Sequence, residues 1–194
     1  TSWTETTDLN TTRGETGGAG ANTEAALVFA GRSPSGTFGN TESWNGSAWT
    51  ETADLNTNRY QVASGLGRVY TNALCVAGYI SSETDKTESW NGTSWTEISD
   101  VNVAKRGIAG QTGTNTSALI FGGYTGTAYI RTNESWNGAT WTELADMSAS
   151  GGFGVAGVAA DNTSALAIGG ALPSVTAAVE EWSSSSVTTK VLTD

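Results

Sequence analysis

Histidine is absent from this 194-residue chain, and cysteine and methionine occur once each. Without His, the side chain best suited to proton transfer near neutral pH is missing, and most zinc sites are excluded. A single cysteine allows no internal disulfide framework. Cys75 sits in the apolar run Leu74-Cys75-Val76-Ala77 and reads as a small buried hydrophobe. Bases are scarce, with 9 Lys and Arg against 19 Asp and Glu and a formal charge of −10. That balance argues against nucleic acid or an anionic membrane surface as a partner. Long hydrophobic runs are missing too. The longest, from Phe153 to Ala160, is too short and too Gly-rich to span a bilayer.

Glycine is plentiful at 25 residues, proline is held to 2, and Thr and Ser recur throughout. This mixture suits many short strands joined by tight turns, an all-β expectation. An internal period then dominates the sequence. Trp44, Trp90, Trp136 and Trp182 follow one another at intervals of 46, and so do Trp3, Trp49, Trp95 and Trp141; the two sets exhaust the 8 tryptophans. Glu42, Glu88, Glu134 and Glu180 keep the same interval, as do Glu5, Glu51, Glu97 and Glu143. Asp8, Asp54, Asp100 and Asp146 form a third acidic set. Most of the negative charge therefore belongs to the repeated fold and not to one acidic site.

Each unit reads as four strands. In the second unit they fall near Tyr60–Gly67 (a), Ala73–Gly78 (b), Thr87–Trp90 (c) and Trp95–Ile98 (d). Strand a is small and Gly-rich, as in Gly14–Gly20, Gly107–Gly113 and Gly151–Gly157, which fits a crowded position near an axis. Strand b is apolar on both faces, as in Leu27-Val28-Phe29, Leu119-Ile120-Phe121 and Leu166-Ala167-Ile168. Strands c and d are joined by Asn-Gly turns at Asn45, Asn91 and Asn137. A small sheet of this kind buries both faces only by stacking on neighbours, which predicts a four-bladed β-propeller. The units run at approximately 6–52, 53–98, 99–144 and 145–182 plus 1–5, with 183–194 as a tail or extra strand. The N-terminal strand Trp3-Thr4-Glu5 is expected to close the last blade beside Trp182. The alternative is a last blade that uses its own Val187–Val191, with the N-terminal strand then reaching a neighbouring chain or a preceding blade, and four blades per chain also leave room for two chains sharing one eight-bladed ring.

The units resemble kelch repeats. The carriers of that resemblance are Gly122-Gly123 and Gly169-Gly170 (weakened to Ala30-Gly31 and Ala77-Gly78), the aromatic Trp44 set and the closing Trp49 set. Arg13, Arg59 and Arg106 look like the kelch arginine after strand d, with Arg106 one place late and Gly151 in the fourth unit. The c–d turn is shorter than in kelch, so the chain looks like a relative of that family. Such units are similar to kelch-like repeat proteins of marine phages and bacteria. The resemblance implies a non-enzymatic virion-associated module, a tail fibre or receptor-binding propeller, at an extracellular or virion surface. A bacterial adhesin or fibre subunit, or a carbohydrate-binding lectin, is the alternative. A protein or a cell-surface glycan is the expected partner, with homo-oligomers through either terminal strand left open.

Within the repeats, the recurring Glu and Trp residues read as structural, with carboxylates accepting hydrogen bonds from backbone or Trp N–H groups. The Asp8, Asp54, Asp100 and Asp146 turns could in principle hold Ca²⁺, but an Asp there more often fixes the turn through its own backbone. No metal ligand or catalytic residue is assigned. The repeats differ most in the b–c loops, and loops on a rigid scaffold carry recognition. Arg32, Phe38, Tyr79, Tyr124, Tyr129 and Arg131 in these loops are the candidate ligand contacts, since aromatic and Arg side chains are common anchors.

Overall fold

In the first unit, the small residues of β1 (Gly17–Asn22) let it lie flat against the apolar β2 (Ala25–Phe29). A short ribbon, β3 (Arg32–Ser33) with β4 (Gly36–Thr37), follows, and then β5 (Thr41–Trp44) and β6 (Trp49–Glu51). β1, β2, β5 and β6 form one antiparallel four-stranded sheet, sheet 1. This is a computed structural model, and it describes residues 2–63, 69–108, 110–148, 151–152, 154, 156–159, 162–171 and 174–184.

The same meander recurs. Sheet 2 is β7 (Ala73–Tyr79), β8 (Glu83–Trp90) and β9 (Trp95–Glu97). Sheet 3 is β10 (Gly110–Thr114), β11 (Ser117–Phe121), β12 (Asn133–Trp136) and β13 (Trp141–Leu144). In the fourth unit β14 (Gly151–Gly152) is set apart. Sheet 4 holds β15 (Ala156–Ala159), β16 (Ser164–Ile168) and β18 (Val179–Ser183), while β17 (Gly170–Ala171) pairs in parallel with β14. The described chain is thus all-β, without helix. Strand a of the second unit forms only isolated bridges, Tyr60 to Tyr79 and Ala63 to Val76, and the rest of it lies outside the described residues.

The register repeats as strictly as the sequence. Trp44 faces Trp49, Trp90 faces Trp95, and Trp136 faces Trp141, each pair with ring centroids 5.3 Å apart. Between them the Asn side chain builds the turn: the Oδ1 of Asn45, Asn91 and Asn137 accepts the amides two and three residues on. The following Gly46, Gly92 and Gly138 take φ near +93°, which glycine adopts without steric cost.

Three apolar cores lie between successive sheets. Leu27 and Phe29 of sheet 1 meet Ala73, Cys75, Trp90 and Trp95 of sheet 2. Leu74 and Val76 from the other face of sheet 2 meet Ala118, Ile120, Trp136 and Trp141. Leu119 and Phe121 meet Ala165, Ala167 and Trp182. Strand b therefore has two apolar faces because each serves a different joint. Cys75 is fully buried in the first joint, and that burial pushes its thiol up to about 11, leaving it inert. Among the described residues, no core joins sheet 4 to sheet 1.

A carboxylate of each sheet catches the segment that leads into it, and in sheets 1 to 3 that carboxylate is buried. Glu42 accepts from the Asn10 amide (2.7 Å), Asn10 Nδ2 (2.9 Å) and Arg13 Nη1 (2.5 Å). Glu88 repeats this with Asn56 and Arg59, the latter at 2.7 Å. Glu134 repeats it with Asn102 and Lys105, again at 2.7 Å. The cation of the third unit is thus Lys105 and not Arg106, which corrects the assignment by resemblance. Lys105 keeps the 46-residue interval after Arg13 and Arg59, whereas Arg106 does not. Glu180 holds the Ser148 amide and hydroxyl, both at 2.7 Å, and Gly151 stands in the cation's place. The repeated Glu residues accept bonds from backbone as expected, but the Trp N–H groups go elsewhere: Trp44, Trp136 and Trp182 donate to the carbonyls of Thr23, Asn115 and Asn162.

The expected N-terminal strand is a further difference. Trp3-Thr4-Glu5 forms no strand, Trp3 is fully exposed, and among the described residues β18 pairs only with β16. A short β-strand is not stable without a sheet edge to join. The alternative closing segment, Val187–Val191, is outside the described residues.

Two outcomes follow. Arg59→Met leaves the Glu88 carboxylate buried without its cation and is expected to cost about 3–5 kcal/mol, measured by urea denaturation. Adding Glu88→Gln to that variant should recover part of the loss. The second concerns acid. Burial pushes the Glu42 carboxyl up, but the bonds from Arg13 and from the Asn10 and Thr11 amides outweigh it and hold it below its ordinary 4.5. A carboxyl lowered on folding lends stability above its unfolded value, lost as the pH falls through the folded one. Stability should therefore decline from about pH 4.5 downward, and Glu42→Gln should flatten that decline.

Candidate functional site

Where strand a begins and strand b ends, each unit makes one backbone bridge. Gly14 pairs with Arg32, Tyr60 with Tyr79, and Arg106 with Tyr124, and β14 and β17 place Gly152 against Ala171. The backbone repeats here while the side chains do not, so this rim is where a constant frame carries variable chemistry. The frame is held from sheet to sheet by amides. Gly31 N donates to Arg59 O and Gly78 N to Lys105 O, both at 2.9 Å. Gln61 N donates to Glu15 O at 3.2 Å and Gly107 N to Gln61 O at 3.0 Å. Glu15 and Gln61 hold φ values of 55° and 52°, a left-handed conformation that Gly107 adopts at 60° without a side chain to strain it.

The side chains of this rim stack into a ladder. The Arg32 guanidinium lies over the Tyr60 ring at 4.6 Å, and Tyr60 contacts Tyr79 at 5.3 Å. Arg106 lies over Tyr79 at 4.5 Å and over Tyr124 at 5.3 Å, and Tyr124 contacts Tyr129 at 5.0 Å. Each cation carries its own anion: Glu15 binds Arg32 at 2.5 Å and Glu83 binds Arg106 at 3.3 Å. The Tyr124 hydroxyl donates to Gly126 O at 2.7 Å, which fixes its ring. A recess of about 340 Å³ opens at the Arg32 end, lined by Glu15, Arg32, Ser33 and Pro34.

Four of the six residues expected from the b–c loops meet here: Arg32, Tyr79, Tyr124 and Tyr129. Two do not. Phe38 is half-buried and its amide closes the β3–β4 ribbon on Gly31 O. Arg131 is half-buried in the joint of sheets 3 and 4, with its Cγ 2.7 Å from where a side chain on Gly151 would begin. Sequence reasoning missed Tyr60 and Arg106, which connect the ladder. The signal was present: positions 14, 60, 106 and 152 keep the 46-residue interval yet hold Gly, Tyr, Arg and Gly.

Two of the four repeated aspartates bind the backbone at the start of strand c. Asp54 Oδ1 accepts the Thr41 amide at 3.3 Å, and Asp100 Oδ1 accepts the Thr87 amide at 3.0 Å. Among the described residues, no group of three or more His, Cys, Asp or Glu side chains is placed to hold a metal ion. What the rim offers is flat aromatic faces, paired charges and hydroxyls, a surface suited to contact.

No family model matches this chain, and no curated protein matches it.

Arg106 joins both halves of the ladder. Arg106→Gln removes two cation–π contacts, each worth about 0.5–1 kcal/mol at an exposed site. The expected result is a loss of near-ultraviolet circular dichroism from tyrosine with the tryptophan bands kept, and a fall in stability of about 1–2 kcal/mol.

Proposed function

We propose that the chain is a kelch-like β-propeller module whose four sheets are its blades, and that it works as a non-enzymatic receptor-binding element of a virion-associated fibre. The 46-residue units support the architecture, since sheets 2 and 3 each bury their two faces against different neighbours. The observation that carries the function is the Arg32-to-Tyr129 ladder, the one rim where the repeat holds backbone geometry constant and varies the side chains. Tyr and Arg supply large contact area with few rotatable bonds and are the usual anchors of binding surfaces. The receptor that fits is a cell-surface glycan, whose ring faces stack on tyrosines and whose hydroxyls pair with Glu15, Arg32 and Glu83. The −10 charge keeps the module from binding nucleic acid or anionic lipid non-specifically.

The test is surface plasmon resonance against a panel of immobilised bacterial capsular and lipopolysaccharide glycans. Wild-type chain is expected to bind a subset. Tyr79→Ala and Tyr124→Ala should each weaken that binding about tenfold or more, as the loss of an anchor does. Unchanged binding in both variants removes the ladder from recognition, and no binding to any glycan removes the glycan receptor.

A further inference from the structure

Two filled sockets and one empty one distinguish the joints. In the first joint Trp95 of sheet 2 lies edge-on to Phe29 of sheet 1 at 4.9 Å, and its Nε1 donates to Thr41 Oγ1 at 2.9 Å. In the second joint Trp141 is buried in one core with Val76, and Thr87 stands at the position of Thr41, although the Trp141 Nε1 and the Thr87 Oγ1 are both buried there without a hydrogen bond. In the third joint the corresponding residues are Phe121 and Asn133, but sheet 4 has no fourth strand among the described residues and brings no tryptophan there. A cavity of about 110 Å³ remains, lined by Phe121, Asn133, Asp146, Met147, Glu180 and Trp182 among others. Asn133 is 7% exposed, and its Oδ1 is buried there without a hydrogen-bond partner. An unpaired buried acceptor carries a desolvation cost that an indole N–H would relieve.

The chain carries one tryptophan out of place, Trp3, fully exposed and 46 residues before Trp49. The residues after it are already docked on sheet 1: Thr7 Oγ1 donates to Ser47 O, and Asn10 binds Glu42. The same contacts recur from Ser99 to Ala139 O and from Asn102 to Glu134 in sheet 3. There the strand just before, β9, belongs to sheet 2. By that equivalence Trp3–Glu5 lies where a sheet preceding sheet 1 would be.

The free faces agree. On sheet 1, Ala26, Val28, Trp44 and Trp49 are only half-buried, although their counterparts Ala73, Cys75, Trp90 and Trp95 are buried. On sheet 4, Leu166 and Ile168 are 39% and 38% exposed, although Leu27 and Phe29, Leu74 and Val76, and Leu119 and Phe121 are buried at the same positions. One end of the chain lacks what the other end presents.

We propose that the socket of sheet 4 is filled by Trp3 of a second copy of this chain, which adds Trp3–Glu5 to β18 as its fourth strand. The first sheet of the second copy then covers Leu166 and Ile168. The contact is head-to-tail, and a ring forms when two copies close on each other. The register follows from the other sheets. Trp3 faces Trp182, Thr4 faces Glu181 and Glu5 faces Glu180, as Trp49, Thr50 and Glu51 face Trp44, Ser43 and Glu42. The inference rests on the repeat-unit reading above and is independent of what the rim binds.

Thr4 and Glu181 are both exposed, so Thr4→Cys and Glu181→Cys leave the cores untouched, and buried Cys75 does not compete for the disulfide. The two single variants are mixed under mild oxidation and read on a non-reducing gel, beside light scattering of the unaltered chain. The expected result is a disulfide-linked pair at twice the 19.9 kDa chain mass, formed only in the mixture, and a multimer in solution that Trp3→Ala dissociates. A crosslink confined to the double variant and internal to one chain overturns the proposal, since the strand would then serve its own sheet. So does the absence of any crosslink. Failure of the crosslink with glycan binding intact removes the exchange alone. Loss of glycan binding with the crosslink intact removes only the rim.

Discussion

Everything in this architecture depends on where the chain goes after strand d. Each linker leaves one sheet and must land on the next, and what catches it is a carboxylate already buried in that sheet. Glu42, Glu88 and Glu134 are each 1% exposed or less, and each takes a backbone amide, an Asn side-chain amide and a cation from the linker. A buried ion pair adds little net stability over a hydrophobic pair of the same shape. Its value here is positional. A charge in the interior tolerates only the geometry that satisfies it, so the linker has one place to dock, and the strand a that follows begins in a fixed register. The bonds of Arg13 Nε to Ala30 O and of Arg59 Nη2 to Cys75 O extend the same clamp to strand b.

The clamp explains why one rim can vary. Residues 14, 60 and 106 come directly after the cation positions, so their backbone is placed by the interior while the side chains of Tyr60 and Arg106 join the rim. Sequence freedom there costs the fold little. The ladder of Arg32, Tyr60, Tyr79, Arg106, Tyr124 and Tyr129 occupies that freedom, with rings and guanidinium groups alternating across three units. In the fourth unit Gly152 and Ala171 end it. A ladder that runs along one side of a repeat scaffold and stops at the last unit is an asymmetric feature on a symmetric frame.

The sequence disclosed the scaffold because its constraints are periodic. The Trp pairs, the Asn-Gly turns and the doubly apolar strand b are each written at the same interval, and the all-β sheets follow them. What stayed hidden had two physical causes. Side-chain stacking across units, as between Arg106 and Tyr79, joins residues whose spacing differs from the repeat, so no period reveals it. The cation of the third unit was hidden by chemistry: an Arg next to a Lys drew the eye to residue type, although Lys105 alone keeps the interval and alone reaches Glu134. Phe38 and Arg131 show the converse error. Both sit in variable loops, yet the backbone ribbon takes the first and the inter-sheet joint the second.

The same periodic logic bears on the ends of the chain. In a stack of identical units, every internal face is matched by construction, and the only faces without a partner are the first and the last. Those faces are complementary by the repeat itself: the Trp44 face is built to receive a Leu–Phe face, and Leu166 with Ile168 is such a face. In the proposed exchange the strand that finishes the last sheet comes from the other end of the chain, ahead of the first. A missing edge then becomes a bond between ends.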